Sequence, residues 1–453
     1  MNDNSEKIED KLQFLREYLI AGDINNFRRY FLSLHTYDQG QFYLSLANEE
    51  RKKIYAFLSP EEMADLFDTI EEDEEFIEDY LQEMNIQYAA DMLSEMYTDN
   101  AVDILNQLEQ VQQKEYLDLM PLDEAEEISD LLVYEDNTAG SIMTTEFVSI
   151  ATGLTIKEAL LEVKRQSEEA ETIYYLYVVN SKRQLAGVLS LRDLITRKDD
   201  ELVENVMGTR LISVHVTDDQ EEVAHTIRDY DLLAVPVIDL VDRLVGIITV
   251  DDIIDVIDEE ARSDYSGLAG VDVDERSENP FVVASKRLPW LVTLLFLGMG
   301  TSTLISNYEN MVSEVSILAV FISLITGTAG NAGTQSLAVA IRRLAEKEDK
   351  TRTIGRMIVS ELSSGLITGL VTGITVFLLV GIWQSNMILG LVIGIAMLFA
   401  ITIANLAGSF IPVLMDKLGF DPAVASGPFI TTLSDLTSVF IYFNIAAYFL
   451  TVL

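Results

Sequence analysis

Thr431-Thr432-Leu433-Ser434-Asp435-Leu436-Thr437-Ser438 lies inside an apolar run that continues to Leu453, with Asp435 in the middle of it. A carboxylate at membrane depth is costly, and is usually tied to an ion, a partner charge or a water-filled path. Working outward from it, five hydrophobic stretches fill the last part of the chain, at 288–306, 315–341, 357–383, 387–415 and 423–453. Each can cross a hydrocarbon core, which takes about 20 helical residues. Lys286 and Arg287 precede the first stretch. Arg342, Arg343, Lys347, Lys350, Arg352 and Arg356 cluster between the second and third, and Lys417 lies between the fourth and fifth. The links 307–310 and 384–386 carry no base. Because basic residues favour the inner side, this pattern predicts a multi-pass protein of the cell membrane with residues 1–285 in the cytoplasm and the C-terminus outside.

The charge is as uneven as the hydropathy. Of 74 acidic and 31 basic residues, only nine of each lie in 286–453. The whole formal charge of −43 therefore falls on residues 1–285, with 65 acids against 22 bases. Such a field repels nucleic acid and anionic lipid and concentrates cations, although acidic surfaces also serve solubility. The chain has no cysteine, which excludes disulfides and thiolate metal sites. Its three histidines, His35, His215 and His225, are scattered, which argues against a histidine-based zinc centre. Hard oxygen ligands remain, and these suit magnesium, calcium or manganese. The first ten residues are charged and no apolar run follows them, so no signal peptide is expected.

Residues 1–135 read as an all-helical domain. Ser59 is a good N-cap for a helix opening Pro60-Glu61-Glu62. An alanine followed by an acid and apolar residues recurs at Ala64-Asp65, Ala90-Asp91 and Ala125-Glu126, with a looser copy at Ala101-Val102-Asp103. This spacing fits a solenoid-like superhelix or an ordinary helical bundle.

A clearer duplication follows, with copies over 138–198 and 202–258. Met143-Thr144, Val148-Ser149-Ile150, Tyr177-Val178-Val179-Asn180 and Gly187-Val188-Leu189-Ser190-Leu191-Arg192-Asp193-Leu194-Ile195 form the first. Met207-Gly208, Ile212-Ser213-Val214, Val235-Pro236-Val237-Ile238-Asp239 and Gly246-Ile247-Ile248-Thr249-Val250-Asp251-Asp252-Ile253-Ile254 form the second. Each copy reads β-α-β-β-α and resembles a CBS domain. CBS pairs are regulatory modules that often bind adenosine nucleotides. A connecting helix is expected over 251–279, where Asp251, Asp255, Asp258 and Glu259 share one face. Like charges so placed destabilise a bare helix. A bound cation would relieve them, and a solvated linker would tolerate them.

Within the spans, Gly327-Thr328-Ala329-Gly330-Asn331-Ala332-Gly333-Thr334-Gln335 combines small residues for close packing with two amides. Asn405 and Pro412 lie in the fourth stretch. Glu361 lies near the basic end of the third, where it can pair with Arg356 or reach water, and it reads as structural. Asp421 precedes the fifth stretch, as a helix N-terminal charge or a cation antechamber. Asp435 is 14 residues further on, roughly 20 Å deeper, and no base in spans two to five is placed to reach it.

The chain as a whole resembles the MgtE family of magnesium transporters. The similarity rests on the acidic helical N domain, the CBS pair, the connecting helix, five spans, and the Gly327–Gln335 and Asp421–Thr437 strings. The resemblance implies a homodimer in the lipid bilayer with its pore on the two-fold axis. Asp435 would be the pore ligand, with Asp421 and the Thr431 backbone at the mouth. It also implies that Mg2+ is both cargo and regulator, bridging acids of the soluble half to shut the pore. By motif position those acids are Asp65, Asp99 and Asp103; Asp219, Glu221 and Asp231; and Asp252, Asp255, Glu260 and Asp264. Ser263 stands where the family can carry an acid. Nucleotide binding, ATP included, is implied at Tyr175, Ser190, Arg192 and Asp193.

Two other readings stand beside this one. One is a transporter for another divalent ion such as Mn2+ or Co2+. The other is a membrane-anchored CBS sensor, which would not need an intramembrane Asp, Asn and Gln. A pump-type ATPase is unsupported, for the chain has neither a Walker A string nor Asp-Lys-Thr-Gly, and no catalytic nucleophile is evident.

Overall fold

The computed structural model describes residues 2–70, 74–167, 170–271, 273, 279–345, 350–418, 422 and 427–449. The chain divides into two compact units, Met1–Ile257 and Asp258–Leu453.

The first unit opens with ten helices: α1 (Asn2–Ala21), α2 (Ile24–Phe31), α3 (Thr36–Leu44), α4 (Asn48–Phe57), α5 (Pro60–Phe67), α6 (Glu74–Glu83), α7 (Ile86–Glu95), α8 (Thr98–Asn106), α9 (Gln110–Leu117) and α10 (Leu122–Leu131). Their starts follow from local chemistry. Ser59 caps α5 through a capping box with Glu62, as the sequence predicts. Helices α3, α5, α7 and α9 pack in succession, each on the next but one, which is the superhelical arrangement. One charged pair is buried here: Arg51 meets Glu83 at 2.5 Å under the rings of Tyr43 and Tyr80.

The duplicated region forms two three-stranded sheets of the same topology. β1 (Phe147–Ala151) runs parallel to β2 (Thr172–Val179), which is antiparallel to β3 (Leu185–Ser190). α11 (Ile156–Gln166) crosses between the first two strands, and α12 (Leu191–Thr196) follows the third. After the short α13 (Val203–Val206), β4 (Val214–His215), α14 (Gln220–Tyr230), β5 (Ala234–Ile238), β6 (Leu244–Thr249) and α15 (Val250–Ala269) repeat the order. The copies interlock reciprocally. A side chain at Gly187 would collide with Met207, at the start of the second copy, and one at Gly246 would collide with Met143, at the start of the first. The recurring Gly-to-Asp string is thus a packing device at its first position. At its end it is a cap: Ser190 and Asp193 form a capping box on α12, and Thr249 donates its N–H and its hydroxyl to Asp252 at the start of α15. The expected 251–279 helix ends at Ala269.

In the second unit, α16 (Pro280–Asn307), α17 (Glu309–Glu314), α18 (Ile317–Ala345), α19 (Lys350–Trp383), α20 (Met387–Lys417) and α21 (Gly427–Phe449) follow. All but α17 are long and apolar enough to cross a membrane, giving five spans as expected. Lys286 and Arg287 fall inside α16 rather than ahead of it, because Asn279 and Pro280 supply a cap and a first helical residue upstream. α19 and α20 approach closely through Gly373 and Gly394, in the way membrane helices pack without a hydrophobic driving force. Gly333 of α18 sits against Ile430 and Ser434 of α21 and the Ala404 carbonyl of α20. Tyr442 donates to the Leu318 carbonyl at 2.9 Å and ties α21 to α18.

The Gly246–Met143 interlock gives a stability prediction. A Cβ at Gly246 would lie 2.8 Å from the Met143 sulfur and from the Thr144 carbonyl. Gly246→Val should cost about 1–3 kcal/mol by overpacking. Adding Met143→Ala should recover part of that loss and no more, since the carbonyl clash remains. Hydrogen exchange of the β5 and β6 amides in the full chain measures both changes.

Candidate metal sites

Carboxylates converge where the helical region meets the two sheets. Glu146 and Glu171 stand immediately before the parallel strands β1 and β2, joined by a 3.0 Å bond from the Glu171 N–H to the Glu146 carbonyl. Asp251 and Asp252 lie in the first turn of α15, and Asp99 in the first turn of α8. Oxygens of Glu171, Asp251 and Asp252 all lie within 4.8 Å of one another. Asp99 is only 6% exposed. The helix N-termini favour negative charge here, but no described base is paired with this group.

The hydrogen-bond supply is uneven. Thr249 gives Asp252 both its backbone N–H (3.2 Å) and its hydroxyl (2.6 Å). Glu146 accepts from Thr98 at 2.9 Å, from the Thr145 N–H at 3.1 Å, and from Thr144. Asp99 accepts from the Asn100 N–H at 2.9 Å, and the Asn100 amide donates to Asp68 at 3.0 Å. The Glu171 Oε2 is buried and has no partner.

Burial and mutual repulsion push these acids toward their neutral forms. Burial raises Asp99 well above the usual carboxylate range, with Asp252 and then Glu171 adding to it. Burial also raises Asp252, against the pull of Thr249. It lifts Glu171 to about 8, with Asp252 the next cause, and Asp68 to about 7 despite the Asn100 bond. Asp65 is raised by burial and by Glu61 and Glu62. An orphaned carboxylate oxygen among all-oxygen donors fits a hard divalent ion that keeps part of its water shell.

The structure brings two of the sequence-predicted acids together here, Asp99 and Asp252. Asp103 and Asp255 are exposed on α8 and α15. Asp219 caps the start of α14 and Asp231 its end, roughly 18 Å apart along the axis, so no single ion takes both. Glu221 lies beside His225, at 3.7 Å. Glu260 and Asp264 are half-buried on the later turns of α15. Glu146, Glu171 and Asp68 had no signal in the sequence as site residues, because the first two are brought in only by the folded strand starts and Asp68, at the end of α5, only by its bond from Asn100 on α8.

Tyr175 and Ser190 are direct neighbours across β2 and β3. Ser190 bonds Asp193 at 2.6 Å, and that bond holds the Asp193 carboxyl below its usual range. Arg192 is exposed beside them. Together they offer an aromatic face, a hydroxyl, an anion and a cation.

In the membrane unit, Asp435 is half-buried on α21 and makes no ion pair among the described residues. Thr431, one turn earlier, donates its hydroxyl to the Pro428 carbonyl at 2.9 Å and lies 3.5 Å from where Gly330 would carry a Cβ. Asp421 lies outside the described residues. Glu361 departs from expectation. It is buried, accepts from Ser336 at 2.9 Å, and has Arg343 rather than Arg356 as its nearest base, at 3.9 Å. Arg356 precedes it by five residues, roughly 140° around the helix, so the two point apart.

Three families match the chain in register with these parts. Residues 34–137 match the MgtE intracellular N domain, 139–200 and 203–259 match the CBS domain, and 322–445 match MgtE, described as a divalent cation transporter. The chain is 65% identical over 450 residues to the magnesium transporter MgtE of Enterococcus faecalis, covering 99% of each. It is 42% identical to that of Bacillus subtilis, over 74% of each chain. Among solved structures, the soluble part of a magnesium transporter is 58% identical with a TM-score of 0.55, covering 56% of this chain and 99% of that one. The cytosolic domain of the Mg2+ channel MgtE in complex with ATP is 34% identical with a TM-score of 0.51, covering 53% and 98%.

The acid cluster makes stability depend on pH in a definite sense. Carboxyls whose folded values are raised stabilise the fold when protonated, and lose that contribution as pH rises through those values. Without divalent ions, the protein should lose thermal stability from about pH 4, where these carboxyls ionise in the unfolded chain, to about pH 8, where Asp68 and Glu171 have ionised in the fold. Millimolar Mg2+ should restore it, with a larger gain at the alkaline end. Calorimetry in buffers of different ionisation enthalpy should show protons released on binding. A magnesium effect that shrinks with pH would contradict the assignment.

Proposed function

The chain belongs to the MgtE family, and from that premise we propose a magnesium channel that its own cargo closes. Transport of Mg2+ by a multi-pass membrane protein is the activity of the family. The finer reading assigns the path to Asp435 and the control to the acids of the first unit. It sets residues 1–285 in the cytoplasm and the C-terminus outside, in agreement with the basic residues at 342–356.

The observation that carries the path is the carboxylate at membrane depth with no base paired to it among the described residues. In a homodimer with α21 near the two-fold axis, two such carboxylates face a central passage. Magnesium gives up water reluctantly and needs few protein ligands, so two carboxylates can draw a hydrated ion in without binding it too tightly to leave. Gly330 and Gly333 let α18 lie close against Thr431 and Ser434, leaving the passage lined by backbone and small side chains. Asp421 and Thr431 are proposed for its mouth.

Control follows from the cluster of Asp99, Glu171, Asp251 and Asp252, with Asp65, Asp103, Asp255, Glu260 and Asp264 as further acids and Asp219, Glu221 and Asp231 around α14. Magnesium closes the channel only by binding the closed arrangement more tightly than the open one. An ion shared by α8 and α15 does this if opening separates them. In the second unit the end of α15 packs Leu268 against Leu337 and Ile430, and the Leu268 carbonyl sits 2.9 Å from the Cβ position of Gly427, where α21 begins. That helix can therefore transmit the state of the acid cluster to the helix that carries Asp435. Tyr175, Ser190, Arg192 and Asp193 are proposed to take an adenosine nucleotide such as ATP. The Tyr175–Ser190 adjacency and the ATP complex of a related cytosolic domain support this.

Asp435→Ala in proteoliposomes should abolish Mg2+ uptake while leaving the protein folded. Asp435→Asn keeps the size and removes the charge, and should lower uptake by at least about tenfold. An Asn variant that carries magnesium at the parent rate and selectivity sinks the pore-ligand role.

A further inference from the structure

Glu361, Ser336 and Asn405 meet where α18, α19 and α20 pack together, and each is more than nine-tenths buried, at 8%, 3% and 7% exposure. The Ser336 Oγ is 2.9 Å from Glu361 Oε2 and 2.8 Å from the Asn405 carbonyl oxygen. A serine hydroxyl has one hydrogen, so it can serve only one of these acceptors at a time. A fourth oxygen, Asn405 Oδ1, is buried without any donor. The Asn405 side chain lies along the Glu361 face of α19: its Cβ is 3.2 Å from the Cβ position of Gly365, one turn beyond Glu361. The Asn405 carbonyl also takes the helical N–H four residues on in α20, so the one hydroxyl hydrogen is divided between it and Glu361 Oε2, and Asn405 Oδ1 is left with none. The nearest base, Arg343, stays 3.9 Å from the other carboxylate oxygen and is partly exposed, too far for a hydrogen bond.

Buried acceptors in excess of donors are satisfied by a water or a cation. A water would leave the buried carboxylate balanced only by the partly exposed Arg343 at 3.9 Å, and an ion in direct contact balances it more fully. Magnesium is a poor match, since it demands six oxygens in a strict octahedron and holds its own water. One carboxylate, one amide oxygen, one carbonyl and one hydroxyl suit a singly charged ion that sheds most of its shell. We propose that Glu361, Ser336 and Asn405 hold a monovalent cation of sodium size between α18, α19 and α20, at a site that excludes Asp435. The site ties together three of the membrane helices, so its occupancy should be read as stability independently of magnesium flux.

The test is thermal unfolding of the full-length protein in detergent, with divalent ions chelated, in sodium, potassium or choline chloride at equal ionic strength. Sodium should raise the melting temperature by several degrees over choline, with potassium giving less. Glu361→Gln should abolish the sodium increment. Asn405→Ala and Ser336→Ala should each raise the half-saturating sodium concentration about tenfold, and they carry the test if Glu361→Gln does not fold. Asp435→Asn should keep the increment whole. Equal melting in sodium and choline overturns the proposal in favour of a water or a proton. An increment that survives in Glu361→Gln or in both other variants overturns it as well.

Discussion

Carboxylates that cannot all be charged at once are the constraint on which the soluble half depends. Asp99, Glu171 and Asp252 are pushed toward neutrality first by burial and then by one another. Coulomb repulsion between unit charges about 4 Å apart is about 4 kcal/mol at a protein-like effective dielectric of 20, a large part of a domain's whole stability. The fold tolerates this because Thr98, Thr144, Thr145 and Thr249 supply hydrogen bonds to some of the oxygens. It does not supply a base. A group built this way is stable when protonated or when bridged by a cation, and strained otherwise. The magnesium sensor proposed for this cluster rests on that property.

The same logic reads differently in the membrane. Among the described residues Asp435 has neither a paired base nor a crowd of acids, and its helix packs on α18 through Gly330 against Thr431 and Gly333 against Ile430 and Ser434. Glu361, by contrast, is enclosed by Ser336, Asn405 and the distant Arg343. One carboxylate stays half-buried on its helix, and the other is drawn into helix packing. The glycine contacts of α18, α19 and α20 make both possible, because close backbones leave polar groups few ways to escape each other.

Much of this was legible in the sequence, for identifiable reasons. Span length and the positions of Arg342 to Arg356 mark the membrane helices, whose hydrophobicity is a property of the segment itself. The Gly187–Ile195 and Gly246–Ile254 strings mark the duplication, and each closes on a hydroxyl-to-aspartate bond three residues apart that needs only local spacing. Asp99 and Asp252 were found by motif. Glu146 and Glu171 were not, because they become neighbours only when β1 and β2 lie side by side. Glu361 reads from the sequence as structural, paired with Arg356 or reaching water; it is instead buried against Ser336 with its base, Arg343, across the interface on α18, because five residues along a helix turn Arg356 away. The helix after Asp252 was drawn ten residues too long, since its charge pattern continues past the turn at Gly270, whose φ of +67° ends it.

The central claim is that a cation shared by Asp99 and Asp252 shuts the channel, and single-channel recording against cytoplasmic magnesium tests it most directly. In the double variant Asp99→Asn, Asp252→Asn the repulsion is gone and so is the shared site. Conduction when open should match the parent, because both positions lie outside the membrane unit. The magnesium concentration for half closure should rise about tenfold or more, the loss of roughly 1.4 kcal/mol or more of differential binding. A double variant that closes at the parent's midpoint would show that this cluster is not the sensor, and would leave its acids as solubility and nothing else.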